Sequence, residues 1–227
     1  MNLKRFGVND LGRDIAVGDI HGYFTKLQSS LDSIDFNPEV DRLFSVGDLV
    51  DRGPESNQAI KWLNKPWFHA VRGNHDDYVC RYDSNEIGKW STTAGKWFSS
   101  MAPNLQSVWA HVFDKLPLAI ELQTPNGVIG IVHADCTLFK WSQLVEELET
   151  PTSCERRKLI KNCCLWSRSR LELNETHGVE GIRALIVGHS PVTEMLVLGN
   201  VHFIDTTGGQ PRGRYTFLDL NTLEIIY

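Results

Sequence analysis

Three times within the first 75 residues, a short apolar run breaks off into glycine and a cluster of Asp, Asn or His. Ile15-Ala16-Val17 leads into Gly18-Asp19-Ile20-His21-Gly22, and Leu43-Phe44-Ser45-Val46 into Gly47-Asp48 and then Asp51-Arg52-Gly53. Phe68-His69-Ala70-Val71 leads into Arg72-Gly73-Asn74-His75. Runs this short, bounded by glycine, predict buried strands rather than helices. Between them Phe24, Leu27, Leu31 and Ile34 recur at helical spacing. A second helix is expected to carry Ile60 and Leu63, with Pro54 in its first turn. Strand–loop–helix units in series predict a parallel sheet, whose ligands gather beyond the carboxyl ends of the strands.

Further along, residues 84–115 are less regular and hold Trp90, Trp97 and Trp109, for which core packing is the expected role. Residues 118–122 and 128–132 flank Pro125-Asn126-Gly127, a hairpin signal. Residues 141–163 read as mainly helical, interrupted at Pro151. Strands return at 184–187, 195–198, 201–204 and 215–218, with turns at Gly199-Asn200 and Asn221-Thr222. Without a repeat, low-complexity tract or linker, a chain of 227 residues that is 41% hydrophobic is expected to form one domain, 1–227.

Composition narrows the class of protein. No apolar run approaches the ~20 residues needed to cross a bilayer. Asp14 and Lys26 bracket the only early apolar stretch, so no secretory leader is expected. The five cysteines are odd in number and lack CxxC spacing, which fits reduced thiols in a cytoplasm better than a disulfide framework or zinc knuckle. A net charge of −5 with no long basic run argues against a nonspecific nucleic-acid binder. The expectation is a cytoplasmic protein with no membrane or nucleic-acid partner, and a monomer by default.

Two later strands end as the first three do. Residues 129–132 lead to His133, and 185–187 lead through Gly188 to His189. Any one such loop is ordinary, but five of them at strand ends are hard to explain as independent turns. Oxygen and imidazole donors without thiolate favour manganese, iron, zinc or a similar divalent ion. One aspartate can bridge two ions roughly 3.5–4 Å apart, and a water held between them becomes a nucleophile near neutral pH. Arg52 and Arg168 add planar donors suited to phosphate. Metals, arginines and a spare histidine describe a phosphoester hydrolase. Asp76 is expected to play a supporting part at most, and Asp77 to lie in a solvated turn. His69, His111, His177 and His202 read as structural or surface histidines, Cys136 as a buried inert thiol, and Asp205 as no catalytic group.

GDIHG (18–22), GDLVDRG (47–53), GNHD (73–76), HAD (133–135) and GH (188–189) follow one another in an order that resembles the metal-dependent phosphoprotein phosphatases of the calcineurin-like metallophosphoesterase superfamily. The resemblance runs over about residues 13–205, and HAD with LWSRSRL (165–171) is most similar to the bacteriophage lambda and bacterial serine/threonine phosphatase branch. It implies an α/β fold: a metallophosphoesterase-type β-sandwich flanked by helices, with a βαβαβ metal-binding core. It implies one ion on Asp19, His21 and Asp48, and a second on Asp48, Asn74, His133 and His189. Arg52, Asn74 and Arg168 would contact the phosphate, and His75, oriented by Asp51, would protonate the leaving alcohol. The expected cofactors are two divalent ions, manganese first, with iron, zinc or nickel as alternatives. The expected substrates are phosphorylated proteins or small phosphoesters, with serine/threonine or dual specificity.

Two other readings compete. Symmetrical bis(5'-nucleosyl)-tetraphosphatases of the same superfamily share GNHD, where the lambda-like branch has glutamate at the Asp76 position. They carry VARG and HAG, however, where this chain reads VDRG and HAD. Diesterases of the superfamily continue GH into GHxH, and here the run is Gly188-His189-Ser190-Pro191. A non-catalytic phosphoprotein-binding relative would have lost a ligand or the acid, and every one is present.

Overall fold

The computed structural model describes residues 2–82, 88–206 and 209–227. After β1 (Leu3–Phe6) the chain runs β2 (Asp14–Val17), α1 (Phe24–Ser33), β3 (Arg42–Ser45), α2 (Ala59–Leu63), β4 (Phe68–Ala70) and α3 (Asn74–Cys80). The short helices α4 (Gly88–Thr92) and α5 (Lys96–Ser99) precede α6 (Pro103–Asp114) and the hairpin of β5 (Ala119–Thr124) and β6 (Gly127–Val132). Then come α7 (Trp141–Glu149), α8 (Cys154–Trp166), α9 (Ser169–Glu172) and β7 (Ala184–Val187). Two hairpins close the chain: β8 (Leu196–Leu198) with β9 (Val201–Phe203), and β10 (Phe217–Asp219) with β11 (Ile225–Ile226).

The strands form two sheets, ordered β11-β10-β2-β3-β4 and β1-β5-β6-β7-β9-β8. Alternation of side chains along each strand builds four layers from them. Ala16, Phe44 and Val46 of one sheet meet Ile120, Leu122, Ile129, Ile131 and Ile186 of the other in the sandwich interior. Their neighbours Ile15, Val17 and Leu43 turn outward onto Phe24, Leu27 and Leu31 of α1, Trp62 of α2 and Phe113 of α6. On the opposite face Ala119, Val132, Leu185 and Val187 pack on Trp141 and Leu144 of α7 and on Ile160, Cys164 and Leu165 of α8. The layers are helix, sheet, sheet, helix, the β-sandwich flanked by helices that the family resemblance implies.

Parallel pairing holds for β2–β3–β4 and for β6–β7–β9, while β10 and β5 run antiparallel to their neighbours β2 and β6, so both sheets are mixed. The predicted second helix starts late. Pro54 lies in a turn, Ser56–Gln58 form a 3-10 turn, and α2 buries Ala59 and Trp62, with Ile60 and Leu63 half-buried against the same core. The cause is a tether: Glu55 N donates to Gly22 O at 2.9 Å and Asp51 N to Ser56 Oγ at 2.9 Å, holding this loop against the first. Of the irregular 84–115 stretch, residues 88–114 are largely helical, and 84–87 lie outside the described residues. β1 and β11 escape sequence reading. β1 is an edge strand whose Lys4 and Arg5 face solvent, and it pairs with β5, more than a hundred residues away. Among the described residues, no helix is long and apolar enough to cross a membrane.

Candidate metal centre and acid–base pair

The carboxyl ends of β2, β3 and β4 in one sheet, and of β6 and β7 in the other, open on the same edge of the sandwich. Hydrogen bonds across that edge stitch the five loops together. His21 N donates to Asp48 O at 2.7 Å, His75 N to Asp48 Oδ1 at 2.9 Å, His189 N to Asp19 Oδ1 at 3.2 Å, and Gly188 N to His133 O at 2.8 Å. Of the eight non-glycine residues with positive φ among those described, five are His21, Asp48, Asp51, Arg52 and His189. Left-handed backbone is costly for such residues and concentrates where side chains must be aimed at a site.

Asp48 is the hub. Its Oδ2 lies 3.4 Å from His21 Nε2 and its Oδ1 3.4 Å from His133 Nε2. His21 Nδ1 donates to Val50 O at 3.0 Å and His133 Nδ1 to Val46 O at 2.8 Å, so each ring presents a bare Nε2 to the centre. His21 Nε2 is buried without a hydrogen-bond partner, 3.7 Å from Asp19 Oδ2. Asn74 Oδ1 sits 2.9 Å from both His133 Nε2 and His189 Nδ1. Lone pairs converging from buried carboxylates, imidazoles and an amide oxygen suit divalent cations. Two groups of donors lie within 4.8 Å of one another, His21/Asp48/His75 and Asp19/Asp48/His133, and Asp48 belongs to both.

Electrostatics agree with a site built for cations. Burial raises Asp19 well above the carboxylate range, and Asp205 and Asp48 add to the rise. Burial also penalises Asp48, but His133, His75 and His21 outweigh it and keep that carboxyl ionised. Burial lowers His21 to about 4 and His133 below its ordinary value, in both cases against the pull of Asp48. His189 falls to about 3 through burial and the nearby His133 and Arg168. Neutral imidazoles and an ionised Asp48 are the states that ligands require, and the burial and mutual repulsion that raise Asp19 are what a bound cation would relieve. At the rim, Arg168 Nη2 donates to His189 O at 3.2 Å, and Arg52 is exposed.

His75 stands apart. Its Nδ1 is 2.6 Å from Asp51 Oδ2, and its side chain is 16% exposed, whereas Asp51 is fully buried. Burial works against the charged ring, but Asp48 and Asp51 outweigh it and the pKa lies above the ordinary value. A proton-bearing imidazole held through Nδ1, with Nε2 as its second nitrogen, is equipped to donate.

The family model described as calcineurin-like phosphoesterase matches residues 15–208. The chain belongs to that family. It is 33% identical over 203 residues to serine/threonine-protein phosphatase 1 of Salmonella typhimurium, covering 86% of this chain and 87% of that protein. It is 49% identical over 143 residues to a symmetrical bis(5'-nucleosyl)-tetraphosphatase of Pseudomonas putida, covering 59% of this chain and 47% of that protein. Its fold superposes on a protein serine/threonine phosphatase from Saccharomyces cerevisiae with a TM-score of 0.59 at 15% identity, covering 96% of this chain and 77% of that one.

In this calcineurin-like phosphoesterase several residues near the centre behave differently from their sequence reading. Asp77 is buried, not in a solvated turn. It meets Lys161 Nζ at 2.6 Å, Arg81 Nε at 2.9 Å and Arg72 Nη1 at 3.3 Å, and so ties α3 to α8. Asp76 plays the supporting part expected of it: fully buried, its Oδ1 accepts from Leu49 N and its Oδ2 from Gly73 N, both at 2.9 Å, pinning the Asp48 loop to the start of α3. Burial and Asp48 push its pKa up to about 7. Trp90 and Trp97 do more than pack: their Nε1 atoms lie 2.5 and 2.6 Å from the Asp51 carboxylate. No local pattern in the sequence signals that contact, which joins residues about forty positions apart. His69 packs on Phe6 and Phe44, His111 and His177 are exposed, and His202 is buried. Cys136 is buried and its thiol is pushed up to about 12, as an inert group should be.

Proposed function

We propose that this phosphoesterase is a dinuclear-metal phosphomonoester hydrolase acting as a serine/threonine, or dual-specificity, protein phosphatase. The observation that carries the reading is the buried Asp51 carboxylate behind His75 Nδ1 at 2.6 Å, at the rim of a His/Asp cluster centred on Asp48. Asp19, His21, Asp48, Asn74, His133 and His189 would hold two divalent ions, manganese or a similar metal. Such ions supply Lewis acidity toward phosphoryl oxygens and an activated water. Asp51 holds the His75 proton on Nδ1, so Nε2 is the nitrogen that delivers a proton to the departing ester oxygen. An alkoxide leaves poorly without that proton, which is the need a phosphoserine or phosphothreonine substrate creates. Arg52 and Arg168 would neutralise the phosphate, and Asn74, whose Oδ1 faces two imidazoles, has its amide nitrogen to offer the same group.

The phosphatase relative, matched over most of both chains, supports this choice. A second reading, hydrolysis of a dinucleoside tetraphosphate, draws support from the 49% identity to the tetraphosphatase, of which this chain spans less than half. Asp51 weighs against it. Chelated protein reloaded with manganese should hydrolyse a phosphoserine peptide in preference to diadenosine tetraphosphate, and the opposite preference would overturn the assignment. No release of nitrophenol from para-nitrophenyl phosphate with manganese, nickel, iron or zinc would point to a binding protein without turnover.

A further inference from the structure

Among the described residues three side-chain donors converge on Asp51, and two of them come from outside every metal-site loop. Oδ2 accepts Trp90 Nε1 at 2.5 Å and faces His75 Nδ1 at 2.6 Å, while Oδ1 accepts Trp97 Nε1 at 2.6 Å. Asp51 is fully buried, so these bonds replace solvent around its carboxyl group. The indoles are themselves locked. Trp90 stacks on Tyr78 with centroids 5.5 Å apart and planes at 20°, and Trp97 lies edge-on to Trp109 at 5.2 Å. Gly95 makes room for the first ring: a Cβ there would lie 2.4 Å from Trp90 Cε2.

We propose that Trp90 and Trp97 are positioning residues for proton transfer: their N–H groups clamp the two oxygens of Asp51 and thereby aim His75 Nε2 at the leaving-group oxygen. The proposal rests on the assignment of His75 as the acid made above. An indole has one donor and no acceptor. It cannot take a proton from Asp51 or reverse its hydrogen bond, as a serine or a water could. With one oxygen held by each indole, the carboxylate cannot turn about its Cβ–Cγ bond. Its remaining acceptor direction is therefore fixed on His75 Nδ1–H, and the transferable proton is confined to Nε2. Packing alone would not require both rings to end on the same carboxylate.

The test uses the full-length manganese-loaded protein and two esters. A phosphoserine peptide needs a proton on its leaving oxygen, whereas 2,4-dinitrophenyl phosphate does not. Trp97→Phe and Trp90→Phe should lower the ratio of kcat on the peptide to kcat on the dinitrophenyl ester about ten-fold or more, with KM for the peptide within about two-fold. Replacing either tryptophan by 3-benzothienylalanine, which keeps the ring and exchanges N–H for sulfur, should do the same if the phenylalanine variants fold poorly. In a His75→Asn background neither change should lower the ratio further, because the clamp acts through the imidazole. An unchanged ratio, an equal fall on both esters, or a further fall on top of His75→Asn would overturn the proposal. If the unaltered protein hydrolyses neither ester with manganese, the functional assignment itself falls, and the proposal with it.

Discussion

Gly188→Ala probes the centre without replacing a titratable group. Gly188 follows β7, and its φ lies outside the left-handed region, so the backbone would accept alanine. The obstacle is space: an added Cβ would lie 2.2 Å from Asp19 Oδ1 and 2.4 Å from Val46 Cγ2. Restoring the 3.0 Å that real Cβ contacts respect requires a shift of roughly 0.8 Å at the carboxylate. Val46 is fully buried and wedged between the two sheets, whereas the Asp19 carboxylate, also buried, is the end of a side chain whose Oδ1 is held by one 3.2 Å bond from His189 N. The carboxylate should therefore take most of the movement, and a ligand must hold its place to within about 0.5 Å. Manganese affinity, measured by calorimetric titration of chelated protein, should fall about 10–100-fold, equivalent to about 1.4–2.7 kcal/mol. Urea unfolding in chelator should show a separate loss of about 1–3 kcal/mol from overpacking. Manganese affinity within two-fold of the unaltered protein, alongside that stability loss, would mean that Val46 gave way and that Asp19 is not a ligand where it stands.

His75→Asn should cut turnover of a phosphoserine peptide by about 10²–10⁴-fold while calorimetry finds both ions still bound, whereas Asp48→Asn should weaken both. Equal metal loss in the two variants would refute that division of roles. Asp77→Asn should cost about 3 kcal/mol in urea unfolding, the lower end for breaking a buried ion pair, because Arg81 and Lys161 are part-exposed and can turn to water. His69, lowered to about 4 by burial with Lys4 and Arg42 nearby, remains neutral in the fold while the unfolded chain binds a proton near 6.5. Its contribution is complete above pH 6.5 and is lost as the pH falls toward 4. Between pH 7.5 and 5.5 the protein should therefore lose about 1 kcal/mol more stability than His69→Gln; parallel losses would contradict the neutral-native assignment.

The five strand ends, four of them bounded by glycine, the helix on Phe24, Leu27 and Leu31, and the α7–α8 break at Pro151 were legible because each rests on spacing within a few residues. Glycine beside Asp or His, and apolar residues at a helical or alternating period, are properties of a short segment. They survive whatever packs around them. The donor chemistry was legible for the same reason: oxygen and imidazole without thiolate narrow the cofactor before any fold is known.

Tertiary structure decided what depends on partners distant in the chain. The late start of α2 follows from the tether of Glu55 to Gly22, and the burial of Asp77 from cations on β4's loop, α3 and α8. β1 reads as a charged, unremarkable tail until β5 pairs with it. Trp90 and Trp97 look like core residues in sequence, and only the approach of α4 and α5 to the second loop turns their N–H groups onto Asp51. Local periodicity and residue chemistry fix which groups reach a strand's end. Hydrogen-bond direction, burial and the distance between carboxylates are pairwise quantities in space, and a chain acquires them only when its two sheets close on one another.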